Sequence, residues 1–366
     1  MAEAIFTPIR FIPNKDIDFG VTVKKRVREY FKSKNLSRSG DYRIWTKVFV
    51  MPLFLLVPFG FLLANAFADN LLVFYGLWLV MGFGLCGCGT AIMHDACHGA
   101  LSKNKSVNDF LGELVWFLAG GSAVNWKIQH NVLHHSYTNI DGYDEDIDPS
   151  GIMRFSPHQP LKAIHRFQAY YAWAFYGMMT ISWATYRGFM QLSRYNKRGL
   201  LKTQGTTIGK EFIKMIIVKI LYYSLFIALP IVLLDVAWWH VVLGWFSMHY
   251  VAGLFLGCIF QPAHVVPSSE FPLADKDHTV TGDRLKYQLL TTADFAPNNS
   301  MLTWYIGGLN FQIEHHLFPS MSHVHHKQIS KIVKKTAQEF GLPYYSKPTY
   351  LKALVSHAKM LHKLRK

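Results

Sequence analysis

The sequence predicts an all-α polytopic membrane protein with four transmembrane helices arranged as two hairpins. Hydrophobic residues make up 51% of the 366 residues and charged residues only 17%, a balance typical of membrane proteins. Four apolar runs are each long enough, at about 1.5 Å per residue, to cross a hydrocarbon core of about 30 Å. We therefore expect one membrane-embedded domain over residues 1–366 rather than two soluble domains.

Two pairs of apolar runs define the hairpins, which are predicted at residues 48–93 and 213–260. Only three residues, too few for a domain, connect the two runs of each pair. Each pair is therefore expected to cross the membrane and return. The predicted spans are residues 48–67, 71–93, 213–234 and 238–260.

Basic residues lie almost entirely outside the hairpins, and their distribution predicts the topology. Eleven of the 38 Lys and Arg residues fall in the N-terminal segment 1–47, twelve in the region 94–212 and thirteen in the region 261–366. The positive-inside rule then places both termini on the cytoplasmic side. The net charge of +15 follows from residues that flank apolar spans, so it indicates membrane lipids as partners and not nucleic acid.

Three other segments are expected at the membrane interface or near it. Residues 107–124 are apolar but contain two carboxylates, which favours a re-entrant or interfacial helix. Residues 168–186 are rich in Tyr and Trp, which prefer the interface. Residues 21–34 alternate basic and apolar groups, which fits either a helix lying on a charged surface or a solvated basic helix.

Two short stretches place polar metal-binding groups at helical spacing. His94 and His98 stand four residues apart in H-D-A-C-H. Gln312, His315 and His316 stand three and four residues apart in Q-I-E-H-H. Side chains at these spacings share one face of a helix and can meet the same ion.

Between these two in the chain lies a further stretch, H-N-V-L-H-H, which contains three imidazoles within six residues. In chain order it is the second of the three stretches, and Q-I-E-H-H is the third. In an α-helix His130 and His134 share one face, while His135 turns about 100° from His134. Ordinary packing does not require so many imidazoles in so short a segment. The stretch therefore predicts ligands for one metal and a further imidazole directed toward a second metal.

All three stretches lie at the ends of predicted membrane segments on the cytoplasmic side, as does His264 after the fourth span. Eight histidines exceed what one metal ion uses, so two ions are implied. Imidazole suits iron, zinc, copper and nickel, and the spacing does not choose among them. We therefore predict a cytoplasmic metal-binding cap. Its candidate ligands are His94, His98, His130, His134, His135, His264, His315 and His316.

Neighbouring polar residues are candidates for supporting roles. Gln312 is either a weak ligand or a residue that orients a neighbour, and Asp95 and Glu314 are candidates to accept the outer N–H of an imidazole. The acidic residues after the second stretch have the same role or form a solvated loop; they are Asp141, Asp144, Glu145, Asp146 and Asp148. A fourth cluster is expected at the surface or at a substrate entrance, and its members are His323, His325 and His326.

These motifs resemble the three histidine boxes of the membrane fatty acid desaturases. The matching segments are H-D-A-C-H, H-N-V-L-H-H-S-Y-T-N and F-Q-I-E-H-H-L-F-P, and the resemblance extends over residues 45–345. Gln312 at the start of the third box is similar to the front-end subgroup, which inserts a double bond between an existing one and the carboxyl end. The segment T-T-A-D-F-A-P-N-N supports that resemblance.

The resemblance implies a function and a set of cofactors. It implies O2-dependent desaturation of a long-chain acyl-CoA or acyl-lipid, of the delta-5 or delta-6 type. It also implies two iron ions held by the eight histidines, with Gln312 nearby. O2 would be a co-substrate, and two electrons would come from an external donor.

One departure from the front-end pattern concerns the electron donor. Many eukaryotic members carry a fused b-type cytochrome with an H-P-G-G motif, which does not occur here. We therefore expect a separate ferredoxin, or a b-type cytochrome with its reductase. The departure favours a bacterial inner membrane, or the endoplasmic reticulum if the source is eukaryotic. The remaining alternatives are an acyl hydroxylase on the same scaffold and a membrane zinc hydrolase.

Overall fold

The computed structural model describes residues 5–12, 19–148 and 151–366. Parts of the predicted N-terminal segment, residues 1–4 and 13–18, lie outside the described residues. Helices dominate what is described, and the strands there form two short parallel pairs, β1 with β2 and β3 with β4. The strands are β1 (Arg10–Ile12), β2 (Thr279–Thr281), β3 (Asp294–Phe295) and β4 (Ser346–Lys347).

The α-helices follow one another along the chain with mostly short connections. Those of the first half are α1 (Phe19–Ser33), α2 (Tyr42–Leu63), α3 (Leu71–Cys88), α4 (His94–Cys97), α5 (Lys105–Leu118), α6 (Ala123–Trp126), α7 (His135–Tyr137), α8 (Gln168–Ala184) and α9 (Arg187–Lys197). Those of the second half are α10 (Ile208–Tyr223), α11 (Leu229–Leu233), α12 (Trp238–His264), α13 (Arg284–Thr291), α14 (Ser300–Tyr305), α15 (Gln312–Leu317), α16 (His326–Glu339) and α17 (Tyr350–Lys363).

Short stretches of other helix types join or precede several of these helices. Three π-helical stretches continue α3 into α4, α6 into α7 and α10 into α11; they are Gly89–Met93, Lys127–His134 and Ser224–Ala228. The 3₁₀ turns are Glu145–Ile147, Ala163–Phe167, Leu200–Gln204 and His323–His325. π-Helical turns are rare and occur most often at functional sites.

Four helical spans in the described residues are long and apolar enough to cross a membrane, which confirms the predicted fold class. They are Tyr42–Leu63, Leu71–Cys97, Ile208–Leu233 and Trp238–His264. The first span begins six residues before the predicted start, where the Asp41 side chain accepts a hydrogen bond from the Arg43 amide and caps the helix. The second and fourth spans run four residues beyond their predicted ends, so they carry His94 and His264 themselves.

The second and fourth spans form the centre of the helical bundle. In each of them, half of the residues of the 18-residue apolar stretch are buried within the protein. The corresponding share is 33% for the first span and 22% for the third. Glycine allows the two central helices to approach each other, because a Cβ on Gly82 would lie 2.4 Å from the carbonyl oxygen of Met248. The exposed apolar faces of the outer spans are suited to lipid.

The segment predicted as re-entrant is broken into two short helices. α5 has 14 residues, a length of about 21 Å, which is too short to cross the membrane. The chain turns at Gly120, whose φ is +64°, and continues as α6. After this break the chain leaves the helical bundle and enters the second histidine stretch.

The predicted basic helix near the N-terminus is present as α1, but its apolar stripe does not lie on a membrane surface. Phe19, Val23, Val27 and Phe31 are buried against apolar side chains of α13, α15 and α16. The alternation of basic and apolar residues is therefore explained by packing inside the protein, with the basic groups on the outer face.

Candidate metal centre

The ends of separate helices bring all eight candidate histidines together. His94 begins α4 at the end of the second span, and His264 is the last residue of the fourth span. The second stretch enters on the π-helical segment Lys127–His134 and on α7, and the third on α15. Residues that are more than 200 positions apart in sequence thus share one buried site.

The ring nitrogens form overlapping groups, within each of which one nitrogen of every residue lies within 4.8 Å of the others. The first group contains four histidines, namely His94, His98, His130 and His315. The second contains His134, His264 and His316, and a third joins His135 to His315 and His316. The groups adjoin each other, so the arrangement can accommodate two neighbouring cations.

Many of these buried nitrogens lack a hydrogen-bond partner in the described residues. They are Nδ1 and Nε2 of His94, Nδ1 of His135, and Nε2 of His98, His264, His315 and His316. A buried polar atom without a partner costs about 1–3 kcal/mol, so seven such atoms side by side would be strongly unfavourable. Imidazole nitrogen is a ligand for transition metals, and the residues therefore fit metal ions.

In four of the eight candidate histidines, the ring nitrogen that points away from the site contacts a residue outside it. Nδ1 of His134 lies 3.0 Å from both carboxylate oxygens of Asp144, and Nδ1 of His130 lies 3.4 Å from Asp146. Such outer contacts fix the tautomer and direct the other nitrogen inward, as they do for metal ligands in general. Two of the five acidic residues singled out in the sequence thus contact the site.

The other two outer contacts come from residues that the sequence analysis missed. Nδ1 of His316 donates to the side-chain oxygen of Gln288 at 2.9 Å. Nδ1 of His264 donates to the carbonyl oxygen of Thr291 at 3.3 Å. Gln288 and Thr291 both lie on α13, a short helix without a recognisable motif.

Burial controls the charge of the imidazoles. It lowers the pKa of His98, His130, His135, His315 and His316 well below the usual value, and the neighbouring imidazoles lower it further. These rings are therefore neutral, which is the form that binds metal.

His134 is the exception among these rings. Burial alone would lower its pKa, but the carboxylates of Asp144 and Asp146 raise it to about 9. The same carboxylates make the ring nitrogen a stronger electron-pair donor to a metal cation. A bound cation would replace the proton on that nitrogen.

The geometry of the second stretch differs from the α-helical expectation. In an α-helix His135 would point about 140° away from His130, whereas Nε2 of His135 lies 3.2 Å from Nε2 of His130. The rings of His130 and His134 also stack, with centroids 5.1 Å apart. The π-helical turn brings all three imidazoles to the same site.

The candidate supporting residues differ in what they contact. Gln312 is 1% exposed and its side-chain nitrogen has no partner in the described residues. Asp95 accepts hydrogen bonds from the Ser322 hydroxyl at 2.9 Å and from the His323 amide at 3.1 Å. Its nearest approach to Nδ1 of His94 is 3.8 Å, so its firm partners lie away from the histidine groups.

Glu314 contacts a buried carboxyl and a phenol rather than an imidazole. The Tyr344 hydroxyl donates to Glu314 at 3.1 Å and to Asp294 at 2.5 Å. Burial raises the pKa of Glu314 well above its usual value and that of Asp294 to about 6. Asp294 also accepts from the Ile313 amide at 3.0 Å, so this pair fixes the start of α15.

The fourth histidine cluster is buried, and the prediction of a surface position is wrong. Exposure is 4% for His323, 4% for His325 and 1% for His326. Nδ1 of His323 lies 2.9 Å from Asp95, and its Nε2 lies 2.6 Å from the Lys47 amine. Polar partners from the first span and the first box therefore hold His323 in place, which the local sequence did not indicate.

Asn139 is another residue whose role was not identified from the sequence. Its backbone φ is +60°, and its side-chain nitrogen donates to the carbonyl oxygens of His264 and Glu270 at 3.1 Å each. It therefore ties the second box to the end of the fourth span. Its place in the S-Y-T-N segment after the second box was the only available signal.

Comparisons with known proteins show the family to which the sequence belongs. The sequence matches the family described as "Fatty acid desaturase" over residues 69–348. It is 32% identical over 352 residues to the "sn-1 linoleoyl-lipid 6-desaturase" of Synechocystis sp., covering 95% of this chain and 96% of the relative.

Two eukaryotic relatives are longer proteins. The chain is 34% identical to the "Acyl-lipid (8-3)-desaturase" of Physcomitrium patens, covering 95% of this chain and 72% of the relative. It is 28% identical to the "Delta(5) fatty acid desaturase A" of Dictyostelium discoideum, covering 95% and 75%.

Proposed function

We propose, since the chain belongs to the fatty acid desaturase family, that it inserts a cis double bond into a long-chain acyl lipid at a front-end position. Family membership makes the protein an oxidoreductase that desaturates fatty acyl chains. The front-end position and the lipid-bound substrate are supported by relatives named for 6-, (8-3)- and delta-5 desaturation, two of them as lipid or acyl-lipid enzymes.

The observation that carries the proposal is the set of seven unpartnered ring nitrogens in one buried site. We propose that they hold two iron ions. One ion would be held by His94, His98, His130 and His315, and the other by His134, His264 and His316, with His135 between them. Iron there would supply the O2-dependent oxidation of an unactivated C–H bond, which acid and base side chains cannot start.

The protein's own residues prepare this site in two ways. Asp144, Asp146 and Gln288 orient the imidazoles through their outer nitrogens, so that little rearrangement is needed on metal binding. The low exposure of the site, 1–5% for seven of its eight histidines by residue, limits access of bulk water. A dry site protects a reactive oxidant from side reactions.

The balance of the reaction requires an external reductant. Each turnover would remove two hydrogens from adjacent carbons and reduce one O2 to two waters. Two electrons and two protons must therefore come from outside the acyl chain, and we propose a separate ferredoxin or b-type cytochrome as the electron donor.

We also propose that both termini and the histidine site lie on the cytoplasmic side of a single domain covering residues 1–366. Support comes from charge, since 36 of the 38 Lys and Arg residues lie in the segments 1–47, 94–212 and 261–366 and basic residues favour the cytoplasm. Cysteine-scanning with a membrane-impermeant thiol reagent at exposed positions of α16 would test this placement.

The function is tested by expression in a host that lacks front-end desaturation and is fed defined polyunsaturated acids. We expect a new double bond between the first existing one and the carboxyl end, located by mass spectrometry in the lipid fraction. The His362→Ala variant, which alters an exposed imidazole, is a matched control and should retain this product. A hydroxylated acid, or a double bond on the methyl side, would contradict the proposal.

A further inference from the structure

Two helices that cover the third histidine box, α1 and α16, lie side by side and run in opposite directions. In the middle of α1, the Arg26 guanidinium donates to the Thr336 hydroxyl at 2.9 Å and forms an ion pair with Glu339 at 2.5 Å. Near the end of α1, the rings of Phe31 and His325 lie 5.0 Å apart. Moving along α1 toward its end thus means moving along α16 toward its start, so the pair is antiparallel.

The inner sides of both helices are apolar and are packed within the protein. Val27 of α1 and Val333 of α16 belong to one buried cluster with Ile313 and Leu317 of α15, the helix that carries the third box. In the described part of the chain, no residue of the four spans belongs to this cluster. The two helices therefore cover α15 from a side that the spans do not occupy.

The outer sides of the two helices are basic. Exposed Lys and Arg residues recur there at intervals of three or four residues, a spacing that keeps side chains on one face of a helix. We call this surface the α1–α16 face and define it by six exposed residues, which are Lys25, Arg28, Lys32, Lys327, Lys331 and Lys335. None of the six lies within salt-bridge distance of a carboxylate among the described residues.

Acidic side chains offset little of this positive charge. α1 and α16 contain only two of them, Glu29 and Glu339, and Glu339 is already paired with Arg26. The α1–α16 face is therefore strongly positive at neutral pH, where Lys and Arg keep their protons. A surface of this charge attracts an acidic partner and raises its rate of association.

An acidic protein fits this face better than an anionic membrane does. A helix that lies on a membrane inserts an apolar side among the lipids, whereas the apolar stripes of α1 and α16 are already buried inside the protein. The two helices have 15 and 14 residues, so side by side they present a surface of roughly 400 Å². Transient electron-transfer complexes bury less than about 1,200 Å² in total, or about 600 Å² per partner, so the face is large enough for such a contact.

A short series of rings connects the α1–α16 face to the histidine site. Phe31, on the inner side of α1, lies against the ring of His325. The next residue, His326, is 1% exposed, and its ring centroid lies 6.2 Å from that of His315, one of the proposed iron ligands. The rings of two adjacent residues thus fill the space between α1 and the site, which is a short distance for an electron to cross.

We propose that the α1–α16 face is the docking site of an acidic one-electron carrier protein. The inference rests on the proposed function, which requires an external reductant, and deepens it by giving the electron donor a place on the protein. Two carriers would dock in turn for each double bond, and each would be oxidised by one electron. O2 would receive both electrons, together with the two hydrogens of the acyl chain and two protons from water, and would leave as two waters.

The first test measures binding, which does not depend on turnover. The full-length, iron-loaded protein is placed in nanodiscs of phosphatidylcholine, and the probes are two oxidised carriers, an acidic ferredoxin and an acidic soluble b-type cytochrome. We expect at least one of them to bind, and Lys331→Glu combined with Lys335→Glu should weaken that binding by about tenfold. Added salt should weaken binding to the wild type.

The matched control for this double variant is Lys202→Glu combined with Lys276→Glu. It makes the same change of net charge at exposed lysines outside the α1–α16 face, so it should bind the carrier as the wild type does. Equal losses in the two double variants, no loss in either, or no binding of either carrier to the wild type would overturn the proposal.

The second test measures electron entry by stopped-flow spectroscopy in the absence of O2. When the reduced carrier is mixed with the oxidised, iron-loaded protein, the second-order rate constant for carrier oxidation should fall by about tenfold in the Lys331→Glu, Lys335→Glu variant. Dithionite is a small reductant that needs no docking surface, so its rate of reaction with this variant should stay within about twofold of the wild-type rate. Equal losses with both reductants would contradict a docking role.

A milder variant covers the case in which the charge reversal on α16 prevents folding. Lys25→Gln combined with Lys32→Gln removes two charges from α1 without adding any, and it should weaken carrier binding by about threefold. A loss that appears only in nanodiscs containing anionic phosphatidylglycerol would point to a membrane contact and overturn the inference. Absence of any desaturated product from the wild type would instead contradict the proposed function, because the binding measurement does not require turnover.

Discussion

The Nε2 atoms of His130 and His135 lie 3.2 Å apart, although side chains five residues apart in an α-helix point about 140° away from each other. The backbone from Lys127 to His134 is π-helical, and its i to i+5 hydrogen bonds place residue i close to residue i+5. His135 thereby lies beside His130 of the first group, and it also forms a group with His315 and His316. One local change of helix type thus places His135 between the two proposed metal positions.

Replacement of His135 by alanine tests this bridging position. We expect His135→Ala to insert in the membrane at the wild-type level but to make no desaturated product, because one ligand shared by the two groups is lost. Iron content, measured by mass spectrometry of the purified protein, should fall below the wild-type stoichiometry. His362→Ala should retain both iron and product, and full activity in His135→Ala would refute the metal assignment.

The carboxylate of Asp144 is predicted to strengthen iron binding through His134. Asp144→Asn keeps the shape of the side chain but removes the charge beside Nδ1, so iron affinity should fall by about 10–100-fold. Competition with a coloured chelator would measure the change. Asp141→Asn is the matched control, since Asp141 comes from the same acidic stretch and faces His158 and Gln159 instead; equal effects of the two variants would argue against a specific role.

Replacement of Gln312 by histidine tests whether the third box requires a glutamine at this position. Its side chain is buried with an unpartnered nitrogen, and an imidazole at this position would have a similar volume and a neutral nitrogen donor. We expect Gln312→His to keep measurable activity, reduced by about tenfold, as for residues that orient a ligand. Product yield at matched expression is the readout, and complete loss would show that the amide itself is needed at the site.

The buried carboxyl of Asp294 should make the free energy of unfolding depend on pH. Burial raises its pKa from 3.8 to about 6, so its favourable contribution is complete at low pH and is lost as the pH rises from about 4 to above 6. Asp294 contacts the buried Glu314 carboxyl, whose pKa is also raised, so the loss belongs to the pair of carboxyls. In Asp294→Asn the unfolding midpoint in detergent should depend less on pH over this window, whereas exposed Asp277→Asn should behave like the wild type.

Removal of iron should destabilise the protein. Iron bound to the unpartnered nitrogens would stabilise the folded state by about 2.7 kcal/mol at a free concentration of 100 Kd. Treatment with a chelator should therefore lower the unfolding temperature, and iron should restore both the temperature and the activity. Hydrolytic activity that is restored by zinc alone, in the absence of O2, would support a hydrolase and contradict a desaturase.

Much of the fold and the identity of the histidine stretches followed from the sequence alone. Apolar length determines whether a helix can span a membrane, and the distribution of Lys and Arg is a property of the chain. Histidines at spacings of three and four residues are visible without coordinates. For these features the physical cause lies within a single segment, so no partner had to be known.

Only the tertiary structure decided which residues surround those histidines. Gln288, Thr291 and Asn139 reach the site from loops and a short helix that carry no periodic signal, and Lys47 meets His323 across 276 positions. The π-helical turn before His135 likewise became visible only in the folded chain. Hydrogen bonds and burial join distant segments, and their free energy exists only when the folded chain brings those segments together.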